Sequence, residues 1–183
     1  MISRKSREEI KLMRHAGHIV ALVHQKMKEV IEPGISTKEL DEIAHQVIRE
    51  NRAIPTFLGY QGFPGCICAS INEQVVHGIP NENVKLKEGD IIAVDVGATY
   101  RGLVGDSAWS YAVGKIDEDK QRLMKATEEA LYAGIDKMRI DNVLDDISGA
   151  VEDVANSYGF GIVRQYGGHG VGHNMHEEPF LFN

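Results

Sequence analysis

Asp90-Ile-Ile-Ala-Val-Asp95-Val-Gly-Ala-Thr-Tyr100-Arg-Gly-Leu-Val-Gly105-Asp106-Ser-Ala-Trp-Ser110-Tyr-Ala-Val113 is the segment on which the fold turns. Its first half is β-branched and apolar and predicts a strand. Tyr100-Arg101-Gly102 predicts a turn, and Leu103 to Val113 a return strand. Asp95 and Asp106 flank that turn. A two-residue loop at Tyr100-Arg101 sets Asp95 opposite Asp106, and a glycine bulge at Gly102 shifts the pairing by one residue. In either case the carboxylates share one face of neighbouring strands. Opposed Cβ atoms lie about 4.5–5.5 Å apart. Two like charges that close repel, so one takes up a proton unless a cation intervenes. A metal pair about 3.5–4 Å apart suits such a site. The competing reading is a solvent-facing hairpin edge with Asp106 in a Gly-Asp-Ser surface turn. Asp95 argues against it, because a carboxylate inside an Ile-Ile-Ala-Val-x-Val run needs a partner.

Upstream, Ser6 and Glu9 have capping-box spacing. Ile10, Met13, Val20, Val23, Met27 and Val30 recur with helical period, predicting a helix from about Arg7 to Ile31 that stops at Pro33-Gly34. Ser36 and Glu39 repeat the box, ahead of Leu40, Ile43, Val47 and Ile48. Gly- and Pro-rich sequence from Pro55 to Pro80 holds short strands such as Ile67–Ser70. Downstream, a helix starting near Asp117–Asp119 is expected to bury Leu123, Ala126, Ala130, Leu131, Ile135 and Met138, and another spans about Asn142 to Tyr158, with Gly159 as its stop. Leu40-Asp41-Glu42-Ile43-x-x-x-Val47 recurs as Leu144-Asp145-Asp146-Ile147-x-x-x-Val151, each in the second helix of a pair. The repeat predicts a counterpart of the acidic hairpin C-terminal to Asn183.

His169, His173 and His176 cluster with Glu177 and Glu178 in a segment with Gly167, Gly168, Gly170 and Gly172. So many glycines disfavour a helix and let backbone approach a bound group. Neutral imidazole is a common ligand for borderline metals; a glycine loop with incidental histidines is the plainer reading. His77, in Val-Val-His-Gly-Ile-Pro, reads on its own as a satisfied core or strand-end histidine. His15, His18, His24 and His45 lie on expected helices as surface or packing residues. Cys66 and Cys68 lack a second ligand pair for zinc, and on a strand they would share one face as packing or pocket residues. No G-x-S-x-G elbow, P-loop or strand-linked G-x-G-x-x-G occurs.

The 183 residues suffice for one domain with a substantial core. A hydrophobic share of 43% and a charged share of 26% are those of a soluble globular protein. A net charge of -7 without a basic patch argues against a nucleic-acid partner. No apolar run approaches membrane-spanning length, and the N-terminus lacks the apolar stretch of a secretory signal. Two cysteines are too few for a disulfide framework, which points to a reducing, cytoplasmic setting.

Five elements stand in order: Ser70-Ile71-Asn72-Glu73 with His77-Gly-Ile-Pro, Asp95-Val-Gly-Ala, Gly105-Asp106, Gly168-His169-Gly170-x-Gly172, and His176-Glu177-Glu178-Pro179. Together they resemble type I methionine aminopeptidases, over essentially the whole chain. The resemblance implies an α+β pita-bread fold, with two pseudo-symmetric halves around an antiparallel sheet flanked by helices. Here that means one catalytic domain over 1–183, with a first half at about 1–114 and a partial second half at about 115–183. It implies two divalent metal ions (Co, Mn, Fe or Zn), held by Asp95, by a bridging Asp106 and by His169. His77 and His176 would be catalytic, touching the substrate or its tetrahedral intermediate. A methionine pocket would draw on Phe57, Tyr60, Phe63, Cys68 and Met175, of which Phe57 and Met175 depart from the family's residues. Substrates would be N-terminal Met peptides and nascent polypeptides with a small second residue, and the intact enzyme would be a monomer. Family members also supply two glutamate ligands from later strands; Glu177 and Glu178 are not their equivalents. The expectation is therefore little or no activity for this chain, and exposed sheet edge that invites self-association. Two alternatives stand beside this: a proline-specific pita-bread peptidase, usually with an extra N-terminal domain, and a pseudo-peptidase serving as a binding module. The retained Asp95, Asp106, His169, His77 and His176 argue against the latter.

Overall fold

Both capping boxes form. In the computed structural model, which describes residues 2–182, Ser6 opens α1 (Arg7–Val30) and Ser36 opens α2 (Thr37–Glu50). Each serine oxygen accepts the backbone N–H of the glutamate three residues on, and that glutamate accepts the serine's own N–H. Two otherwise orphaned donors are satisfied at each helix start, worth about 1 kcal/mol per cap. Burial on α1 begins at Ala16 and runs through Ile19, Val20, Val23 and Met27. Ile10, expected on this stripe, is exposed because the first turns of α1 precede its buried stretch. Leu40, Ala44 and Ile48 of α2 complete the helical side of the core.

These helices cover an antiparallel sheet of β1 (Ile54–Pro55), β2 (Ile67–Ile71), β3 (Ile91–Tyr100) and β4 (Leu103–Ala112). β4 pairs along the whole of β3, while β2 and the short β1 share its other edge. Ile92, Val94, Val96 and Ala98 point into the core, so period-two alternation turns Asp95 to the opposite face. There it is half-buried rather than enclosed among the valines.

The hairpin register corrects the expected pairing. The loop is Arg101-Gly102, with Tyr100 opposite Leu103, Asp95 opposite Ala108 and Asp106 opposite Gly97. Both loop residues adopt positive φ, 49° at Arg101 and 81° at Gly102. A two-residue loop with positive φ at both positions matches the twist of the strands and favours glycine second. Gly102 is therefore used in the turn, not in the strand. The register moves by two, so the aspartates keep a common face as diagonal neighbours.

Gly105 carries the contact between α1 and β4. A Cβ there would lie 2.5 Å from the Gly17 nitrogen and 2.7 Å from the Ala16 carbonyl carbon. Asp41 is the core's buried anion: it accepts from the N–H groups of Cys66 (2.6 Å) and Ile67 (3.2 Å) and pairs with Lys38. It thereby fixes the start of β2.

The chain divides into two compact units. The first comprises residues up to Ile116 together with Val171–Glu177; the returning segment is joined by the Val104 N–H donating to the Gly172 carbonyl at 2.8 Å. The second comprises Asp117–Gly170 and the residues from Glu178. It holds α3 (Glu118–Lys137), α4 (Leu144–Ser157), β5 (Gly167–Gly170) and β6 (Glu177–Phe182), whose first residue belongs to the first unit. Ala126, Ala130 and Gly134 are the buried residues of α3, and Gly134 abuts Val151 and Ile147 of α4. Leu123, Leu131, Ile135 and Met138, expected inside, are exposed. The helix buries small residues one turn apart, which allow close backbone approach, and leaves its large ones outside. The repeated motif does fall on second helices in both pairs, although Leu40 is the fourth residue of α2 and Leu144 the first of α4.

Candidate active site

Three strands bring the first group together. Cys68 on β2 lies opposite Asp95 on β3, and Asp95 lies opposite Ala108 on β4, two residues from Asp106. The two carboxylates are close enough to act on each other's ionisation: burial, then the charge of Asp95, then hydrogen bonding with Asp95 hold Asp106 well above the usual carboxylate range. A cation relieves the same repulsion as a proton, and hard carboxylate oxygens suit a divalent ion. The residues present thus fit the carboxylate part of a metal site. Among the described residues, no group of three or more His, Cys, Asp and Glu side chains is arranged to hold a metal.

Cys68 is buried, and its thiol is pushed up to about 12, first by burial and then by Asp95 and Asp106. A thiol so far from ionising is no nucleophile at neutral pH. It serves as a small apolar wall beside the carboxylates. Behind them His24 of α1 lies 3.0 Å from the Ser107 carbonyl oxygen and 2.8 Å from the Tyr111 hydroxyl. Burial lowers its pKa, opposed by the bond to Ser107 and by the charge of Asp95. Helical periodicity assigned His24 only a packing role; its tie to β4 depends on strand residues far along the chain.

The pocket candidates occupy several places in the first unit. The Phe57 ring fills the space a side chain would need at Gly97, the strand partner of Asp106. Tyr60 lies in a 3-10 turn (Tyr60–Gly62), and its hydroxyl is 3.0 Å from His176 Nδ1, with ring centroids 5.6 Å apart. Phe63 and Met175 are half-buried. His77 is exposed with φ 59°, and the next residue is anchored: the Gly78 N–H donates to the buried Ser70 Oγ at 3.0 Å.

His169 lies on β5 in the second unit, half-buried, with Nδ1 3.0 Å from the Gly170 carbonyl oxygen. A carbonyl only accepts, so Nδ1 is the donor in that contact.

Residues 11–183 match metallopeptidase family M24. The chain belongs to that family. Among M24 relatives, "Methionine aminopeptidase 1" of Bacillus subtilis (strain 168) is 50% identical over 98% of this chain and 72% of its own length. The crystal structure of methionine aminopeptidase from Rickettsia prowazekii superposes with a TM-score of 0.97 at 36% identity, covering 100% of this chain and 73% of that one. Prolidase from Pyrococcus furiosus gives a TM-score of 0.82 at 20% identity, over 96% of this chain and 51% of its own, a likeness of fold alone. This M24 chain has the pita-bread fold, is a metallopeptidase by family, and uses divalent metal as the family does.

Proposed function

We propose that this chain removes N-terminal methionine from peptides and nascent polypeptides whose second residue is small. The carrying observation is the Asp95–Asp106 pair, set on one hairpin face in a chain half identical to a methionine aminopeptidase. Asp95, Asp106 and His169 are the residues that would hold two divalent ions, drawn from Co, Mn, Fe and Zn. When bound, such ions make water nucleophilic at neutral pH and polarise the scissile carbonyl.

The chain's own groups do the rest. Asp106 would have to be ionised to serve as a ligand. His77 and His176 are proposed to reach the substrate, where ring N–H groups stabilise charge developing on the carbonyl oxygen. The Tyr60 hydroxyl at His176 Nδ1 sets that ring's orientation. Phe57, Tyr60, Phe63, Cys68 and Met175 are the proposed walls of the methionine pocket, with the neutral Cys68 thiol adding apolar surface. Two free cysteines support a reducing, cytoplasmic setting. Among the described residues, no helix is long and apolar enough to cross a membrane.

A polypeptide of these 183 residues alone is proposed to turn over weakly, because Asp95, Asp106 and His169 are the three metal ligands proposed for it. Methionine release from Met-Ala-Ser with added Mn²⁺ or Co²⁺ tests both parts. Slow release that favours Met over Leu at the first position, and is lost in Asp106→Asn, is the expected result. Turnover at ordinary enzyme rates, roughly 1–10³ per second, would overturn the second part. Release that ignores the first residue would overturn the first.

A further inference from the structure

The arm ahead of α1 grips the segment that carries His176. Lys5 Nζ contacts Glu177 Oε2 at 2.5 Å, and the two side chains are only 12% and 11% exposed. Pairs such as Lys11–Glu8, Lys38–Asp41 and Arg164–Glu152 instead leave one partner more than 40% exposed. Exposed pairs contribute little, whereas removing one partner of an enclosed pair strands the other. The second Glu177 oxygen accepts the Asn174 N–H at 3.1 Å, and the Gly172 N–H donates to the Asn174 carbonyl at 3.1 Å. Four residues before Glu177, His173 is held on two sides: Nε2 is 2.9 Å from Glu9 Oε1 and Nδ1 is 3.1 Å from the Gly102 carbonyl. His176 and Met175 thus lie between two anchors, both supplied from the first nine residues.

We propose that Lys5 and Glu177 are positioning residues for His176: their enclosed ion pair, with Glu9 on His173, sets the path of 172–177 and so the placement of the His176 ring against Tyr60. This rests on the proposed role of His176 but concerns geometry that exists without turnover. The pair is proposed to act only through the segment it holds.

Amide hydrogen exchange and the His176 ring resonances, measured on the whole 183-residue chain, test it. In Lys5→Met, exchange at Gly172 and Asn174 should quicken about tenfold or more, the loss of one hydrogen bond to a charged group. The Leu40–Ile48 amides should keep their rates, the His176 resonances should move, and Lys5→Arg should restore both. Unchanged exchange at 172 and 174, equal quickening in α2, or failure of Lys5→Arg to restore the resonances would each overturn the proposal. If Lys5→Met does not fold, Glu177→Gln carries the same expectations. Neither readout depends on hydrolysis, so absent methionine release in the unaltered chain counts against the proposed function and not against this clamp.

Discussion

Replacing Asp41 by alanine removes the acceptor of two N–H groups in a region closed to water. Cys66 is 3% exposed and Ile67 is fully buried, so neither donor gains a solvent partner. Hydrogen bonds to a charged group are worth about 1.5–3 kcal/mol each. The contact to Cys66 is short and that to Ile67 longer, at 2.6 and 3.2 Å, so the pair together should contribute about 3–5 kcal/mol. Lys38 adds little, because its side chain is 43% exposed and such ion pairs give about 1 kcal/mol or less. Asp41→Asn retains an acceptor without the charge and should cost about half as much as alanine. Urea unfolding followed by fluorescence of Trp109 reads this directly, since the chain's single tryptophan packs against the first unit's core. With a slope of about 1–3 kcal/mol per molar, Asp41→Ala should lower the midpoint by roughly 1 M or more, with the slope unchanged. A shift below about 0.3 M, or one that Lys38→Met reproduces, would refute the assignment of the stabilisation to the two buried N–H groups.

Gly105→Ala sets a methyl group against the α1 backbone at Gly17 and Ala16; overpacking of this kind costs about 1–3 kcal/mol or more, and a thermal melt should show a drop of several degrees. Asp106→Asn should abolish the heat of Mn²⁺ binding in calorimetry and the thermal stabilisation that Mn²⁺ gives the unaltered chain. The Glu9–His173 tie carries a pH signature. Its bond to Glu9 is the main reason the His173 pKa is raised, and Ser6 chiefly, with His173, lowers Glu9 to about 2. A raised histidine stabilises below its ordinary range and loses that contribution as pH climbs through its folded value; a lowered carboxylate stabilises above its ordinary range and loses it as pH falls toward 2. Protection of the 171–177 amides should therefore be greatest between the ordinary Glu and His ranges and decline on both sides. Added salt should blunt this and Glu9→Gln should remove the His173 part, both visible by hydrogen exchange.

Local signals were legible wherever the chain's neighbours in sequence are also its neighbours in space. Ser6 with Glu9 and Ser36 with Glu39 announced two helices because a capping box is a contact within four residues. The β-branched run around Asp95 announced β3, and its shared face with Asp106 survived a two-residue error in register because side-chain alternation has period two. The error arose at Gly102, where composition marks a turn but not which residues take positive φ. Burial on α3 was misjudged because periodicity marks a stripe without telling whether a helix neighbour demands bulk or closeness; Ala126, Ala130 and Gly134 supply closeness. Asp41, Lys5 and His24 had no local signature at all. Each acts on a partner at least 25 residues away, and no pattern of spacing encodes that.

The first unit is discontinuous along the chain: its last strip, Val171–Glu177, arrives after the whole of Asp117–Gly170. During synthesis from the N-terminus, at about 5–20 residues per second, the sheet and α1 can pair early while Lys5 and Glu9 wait for partners. The completing step closes a loop spanning 172 residues between Lys5 and Glu177, and loop-closure entropy grows only logarithmically with such length. The proposed catalytic histidine is thus among the last parts of its own unit to be secured, so a nascent or stalled chain can carry a formed aspartate hairpin without a fixed His176.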